Sequence, residues 1–219
     1  MKKHIHLAIA VCVMTTLLAT SAFAWRSVRT GQKNFERAWS AYVFKRPDQA
    51  KGYFAKAAAA FGSALAETPP SRTTMFTSNL TMAGISFYSS GQYQQCITTM
   101  EMVADKDDRM WEAPLYSALS HARLGDATQA IKSLKAYLDT SPGQPMLSNE
   151  AERVITELDK SSGDPSAAAI TMDTAIYRQI SNNIKTTGKS VTSPTERCNG
   201  TYWWRYNQSP CTQKQYIGD

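Results

Sequence analysis

Gly91 recurs as Gly125, Cys96 as Ala130, Ile97 as Ile131 and Met100 as Leu134, a constant spacing of 34 positions. Each stretch reads as two short helices split by a turn, Ser90-Gly91-Gln92 in the first and Leu124-Gly125-Asp126 in the second. A unit of this length cannot bury its apolar face alone, so neighbouring units must stack. Stacked helical hairpins make an extended concave surface, which points to holding a partner rather than to covalent chemistry.

Turn residues divide the flanking sequence in the same way. Apolar spacing predicts a helix over 25–44, with Phe35, Trp39 and Tyr42 on one side. Lys45-Arg46-Pro47-Asp48 ends it, and Pro47 can open the next helix, where its missing N–H costs nothing. That helix runs to about position 67 with a narrow face of Ala57, Ala58, Phe61, Ala64 and Leu65, and Thr68-Pro69-Pro70 stops it. Hairpins follow over 73–90 with 92–105 and over 110–124 with 126–139, each carrying a glycine where its first helix should stop. Helices over 146–160 and 166–184 complete the pattern, either as a degenerate repeat or as a cap on the last apolar face. Beyond 185 Thr, Ser, Gly, Asn and Pro dominate and no regular structure is predicted.

The first 24 residues read as a cleaved secretory signal. Lys2 and Lys3 precede an apolar run over 7–18, too short to span a bilayer, and Ala22-Phe23-Ala24 has the form of a cleavage site. The competing reading is a membrane anchor. Cys12 lies inside the apolar run, well before that site, and would leave with it. The expected location is periplasmic or secreted, with no stable membrane insertion after cleavage. The formal charge is +6, two of it carried by Lys2 and Lys3, and the basic residues are scattered with no run of three after the leader. Nucleic acid is therefore not an expected partner, while loose attraction to anionic envelope polymers or lipid headgroups is open.

The central hairpins resemble the tetratricopeptide repeat (TPR) family. The resemblance rests on Leu80, Ala83, Gly84, Phe87, Gly91, Tyr93, Cys96, Met100 and Val103 in the first repeat. Ala118, Gly125, Ala130, Leu134 and Pro142 carry it in the second. An upstream hairpin fits less well through Ala57, Phe61, Ala64 and Pro69. Asp108 stands where the family would place the closing Pro of the first matching repeat, and Pro114 lies in the first turn of the next, where a helix tolerates it. The resemblance implies an all-α, TPR-like helical-hairpin solenoid over 25–185; the irregular aromatic tail over 186–219, expected from its composition and from export to be disulfide-bonded, follows it.

It also implies a site. In TPR domains the first helix of each hairpin lines the groove, which here would be Thr81, Ile85 and Tyr88 with Glu112, Leu115, Leu119 and Arg123, flanked by Ser78 and Ser89. Ile85 and Leu119 are wrong for a clamp on a terminal carboxylate. An apolar-centred wall suits an amphipathic helix or an extended segment with apolar anchors, and the expected partner is an envelope protein or peptide. The competing reading is that these side chains pack against the chain's own helices.

Little recommends catalysis. His121 is the single histidine after the leader, so a histidine-rich metal site or a nucleophile–His arrangement has almost nothing to draw on. In the family pattern it falls where a bulky side chain packs inside the hairpin. Asp105, Asp107 and Asp108 lack the mid-loop Gly and closing Glu of a cation loop and read as a solvated turn. No phosphate-binding glycine loop or nucleophile elbow is present in the sequence. We expect no enzyme activity, no cofactor and no metal.

The tail offers a second candidate. Cys198 and Cys211 are close in sequence, and export favours a disulfide between them, worth about 3 kcal/mol in the chain-entropy description. Tyr202, Trp203, Trp204 and Tyr206 lie inside that loop. As a short strand or an ordered aromatic loop they would either cover the end of the solenoid or stack on sugar rings, which would make peptidoglycan or another glycan the ligand. Cys96, left over, reads as a small buried apolar side chain.

Overall fold

Three prolines and two glycines mark out most of the architecture. A computed structural model of the protein describes residues 26–140, 143–160 and 163–186, with side chains as far as Asn182, and among them the chain is helix and turn throughout. Helix α1 covers 26–43, and α2 (Pro47–Leu65), α3 (Thr77–Ser89), α4 (Tyr93–Ala104), α5 (Glu112–Arg123), α6 (Ala127–Asp139), α7 (Pro145–Leu158) and α8 (Pro165–Thr186) follow. Pro47 and Pro145 sit in the first turn of α2 and α7, where no intrahelical N–H bond is lost. The leader, Pro142 and the tail with Cys198, Tyr202, Trp203, Trp204, Tyr206 and Cys211 lie outside the described residues.

The 34-residue period is a repeat of backbone geometry. Gly91 and Gly125 adopt φ of +81° and +84°, the left-handed region that a side chain makes costly. Each closes the same helix-ending motif. Gln92 N–H donates to Phe87 O at 2.8 Å and Gly91 N–H to Tyr88 O at 3.0 Å. Thirty-four residues on, Asp126 N–H donates to His121 O at 2.9 Å and Gly125 N–H to Ala122 O at 3.1 Å. Asp126 then caps α6 by accepting from Gln129 N–H at 3.0 Å. Identical turns set identical hairpins, so α3–α4 and α5–α6 stack with α4 against α5.

The expected start of the third helix at 73 is late in the structure. Ser71 and Thr74 hydroxyls bond each other at 2.8 Å, and the Asn79 side chain donates to Thr73 O at 2.7 Å. These side-chain bonds hold 71–76 as turns, and α3 begins only at Thr77.

The core runs through all the hairpins. Phe35 stacks on Trp39 at 6.1 Å and meets Phe54 edge-on at 5.9 Å, joining α1 to α2. Gly84 lets α3 lie close on α4, because a Cβ there would be 2.6 Å from the end of Met100. Cys96 and Ala130, equivalent in the repeat, are both buried, and the Cys96 thiol donates to Tyr116 O at 3.7 Å. Burial of each Leu or Phe contributes roughly 1.5–3 kcal/mol. The departure from a plain stack is α8, which pairs with α7 and also lies against α5.

Candidate functional site

Helix α8 occupies the inner face. Of the residues expected to line an open groove, Thr81 and Leu115 are wholly buried and Leu119, Glu112 and Ile85 are 1–3 % exposed. Tyr88 is buried at its rim and Arg123 half-buried. The wall is covered and not open, as the competing reading had it: Ile85, Tyr88, Leu115 and Leu119 belong to the same buried cluster as Ala169, Met172, Ile176 and Ile180 of α8. The reason is composition. A wall centred on Ile85, Leu115 and Leu119 cannot face water cheaply, and α8 supplies the complementary apolar stripe.

Polar contacts fasten α8 along one side of that face. Tyr88 Oη donates to Asp173 Oδ1 at 2.8 Å, and Arg123 Nη2 donates to Asp173 Oδ2 at 2.6 Å. Arg123 Nε reaches Tyr88 Oη at 3.5 Å, which closes the triangle. Burial pushes the Asp173 carboxyl up, and the Tyr88 hydroxyl and the Arg123 guanidinium pull it back. One turn on, Tyr177 meets Tyr42 of α1 edge-on at 5.5 Å. Gln179 is buried, and its Oε1 accepts from Met146 N–H at 2.9 Å and Leu147 N–H at 3.3 Å, capping α7 from the neighbouring helix. Asp173, Tyr177 and Gln179 were not among the residues singled out from sequence. Asp173 and Tyr177, four apart on the flank of an apolar stripe, were the available signal.

Glu112 opens α5 and is a different matter. Its side chain is buried, and no other residue donates a hydrogen bond to either carboxylate oxygen. Burial pushes the carboxyl up to about 8, its own backbone N–H offsets part of the rise, and the charge of Asp107 adds a little to it. The Nε1 of neighbouring Trp111 is also buried without a partner. A carboxyl in this setting favours the neutral acid at neutral pH.

The remaining candidates are surface features. Asp107 is paired with Arg109 at 2.9 Å, which holds its carboxyl below the usual range, in an exposed turn between α4 and α5. Among the described residues no three His, Cys, Asp or Glu side chains are grouped to hold a metal ion. No described helix is long and apolar enough to cross a membrane. His121 lies half-buried on α5.

Comparison with known proteins identifies one hairpin. Residues 112–143, which contain α5 and α6, match the family model described as Tetratricopeptide repeat. No curated protein and no solved structure matches the chain.

Proposed function

We propose that this tetratricopeptide-repeat protein, whose repeat points to protein–protein interaction, is a non-enzymatic scaffold of the cell envelope. It holds a helical segment of a partner protein on the inner face that α8 covers. The observation that carries the reading is the seating of α8 itself. A helix with small and aliphatic side chains at 169, 172, 176 and 180 fills the face, and its one acid sits between Tyr88 and Arg123. A partner helix with the same pattern fits the same face and competes with α8. The periplasmic or secreted location is supported by Lys2, Lys3, the apolar run and Ala22-Phe23-Ala24.

The test uses the full chain with Asp173→Ala, which loosens α8 without changing the wall. Envelope proteins captured on this variant should be released by a synthetic peptide of residues 165–186. The same peptide bearing Asp173→Lys should release them poorly. Capture that ignores both peptides would refute use of the inner face.

A further inference from the structure

The outward face of α1 carries a line of exposed cations. Arg26, Arg29, Lys33 and Arg37 are all exposed, and so are Ser40 and Phe44. At 100° per residue Arg26, Lys33 and Arg37 fall within about 40° of one another, with Arg29 about 60° aside; Phe44, just past the helix end but still donating its N–H to Ser40 O at 3.1 Å, continues their azimuth. The opposite face bears Val28, Phe35 and Trp39, all buried. The cations extend over roughly 16 Å of helix. None of the four makes an ion pair with a described residue, since the ion pairs there involve Arg109, Arg123 and Arg153. Tyr53 of α2 lies between Arg37, 5.8 Å from its ring centre, and Lys56, at 5.6 Å, which holds Arg37 in place and widens the positive surface. Exposed Lys45 and Arg46 continue it beyond the helix.

We propose that this face lays α1 along the surface of a bilayer rich in anionic phospholipid, with Phe44 entering the headgroup layer. A rigid straight row of cations matches a flat field of phosphates, and an exposed aromatic on the same azimuth is what an interfacial helix needs. An acidic peptide would use the charge but leave Phe44, 69 % exposed, without purpose, and an uncharged glycan would leave the cations without one. The cations lie on the side of α1 away from Tyr42, which meets Tyr177 of α8, so the proposal stands apart from the reading of the inner face given above.

The experiment is co-sedimentation of the full chain with vesicles of phosphatidylcholine, with and without phosphatidylglycerol. The leader carries Lys2 and Lys3 and adds its own preference for the anionic vesicles, so the stripe is read from the gap between the native chain and the quadruple variant, which share that leader. The anionic vesicles should bind more tightly, and high salt should remove the difference. Each cation near such a surface is worth roughly a fivefold change in partition. The quadruple variant Arg26→Gln, Arg29→Gln, Lys33→Gln, Arg37→Gln should therefore lose roughly a hundredfold or more. Phe44→Ser should weaken binding roughly tenfold with the salt dependence unchanged. All five side chains are exposed, so circular dichroism should report an unaltered fold. Equal binding to both vesicles, an unaffected quadruple variant, or binding to purified peptidoglycan in place of vesicles would overturn the proposal.

Discussion

Replacing Glu112 with glutamine should remove most of the pH dependence of this protein's stability between pH 4.5 and 8. The carboxyl moves from an ordinary value of 4.5 to about 8 in the fold. At 1.36 kcal/mol per decade, the difference amounts to about 5 kcal/mol as an upper bound. The sign follows from proton binding. Between those values the native state keeps the proton that the unfolded chain has released, so raising the pH favours unfolding. The full contribution is present below pH 4.5, falls as pH rises, and levels off above 8; at pH 7 about 3 kcal/mol is already lost. The position of Glu112 at the start of α5, where the helix favours negative charge, offsets part of this. Glu112→Gln cannot ionise and should be the more stable protein at neutral pH, while the two should converge near pH 4.5. Urea denaturation of both proteins at several pH values measures the gap directly. Parallel stability curves would refute the reasoning, because they would mean that the carboxylate has a partner or reaches water.

Two glycines should respond in opposite directions to the same change. Gly52→Ala in α2, where an added Cβ meets nothing within 4 Å, should stabilise by about 0.5–1 kcal/mol, whereas Gly125→Ala at φ +84° should cost about 1–2 kcal/mol, both read from denaturation midpoints. Cys96 is fully buried with its thiol pushed up to about 12, so peptide mapping after iodoacetamide treatment at pH 8 should find it alkylated only under denaturant.

The hairpins were legible because their signals are local. A glycine that must adopt positive φ, a proline that must start a helix and a 34-residue echo of Gly91 in Gly125 act within a few residues of where they stand. The late start of α3 was not legible, because it depends on which hydroxyl Ser71 finds. Tyr88 and Arg123 were named from sequence as wall residues, but their shared partner Asp173 lies 85 and 50 positions away, and periodicity carries no information about such pairings. The apolar character of Ile85 and Leu119 was the one hint that the wall has a cover, since helical spacing describes a greasy face equally well whether it meets a guest or another helix.

The line of contacts from Tyr42 through Tyr88 to Arg123 alters how this array should come apart. In a simple repeat stack each unit touches only its neighbours, so ends peel away while the middle stays folded. Here one rod crosses three consecutive units through Tyr177 and Asp173 and plugs the start of a fourth with Gln179. Melting any of those units unseats the rod from the others, so the molecule should unzip in one all-or-none transition. Such long chain closures also make its assembly slower than that of an unbraced stack of equal length.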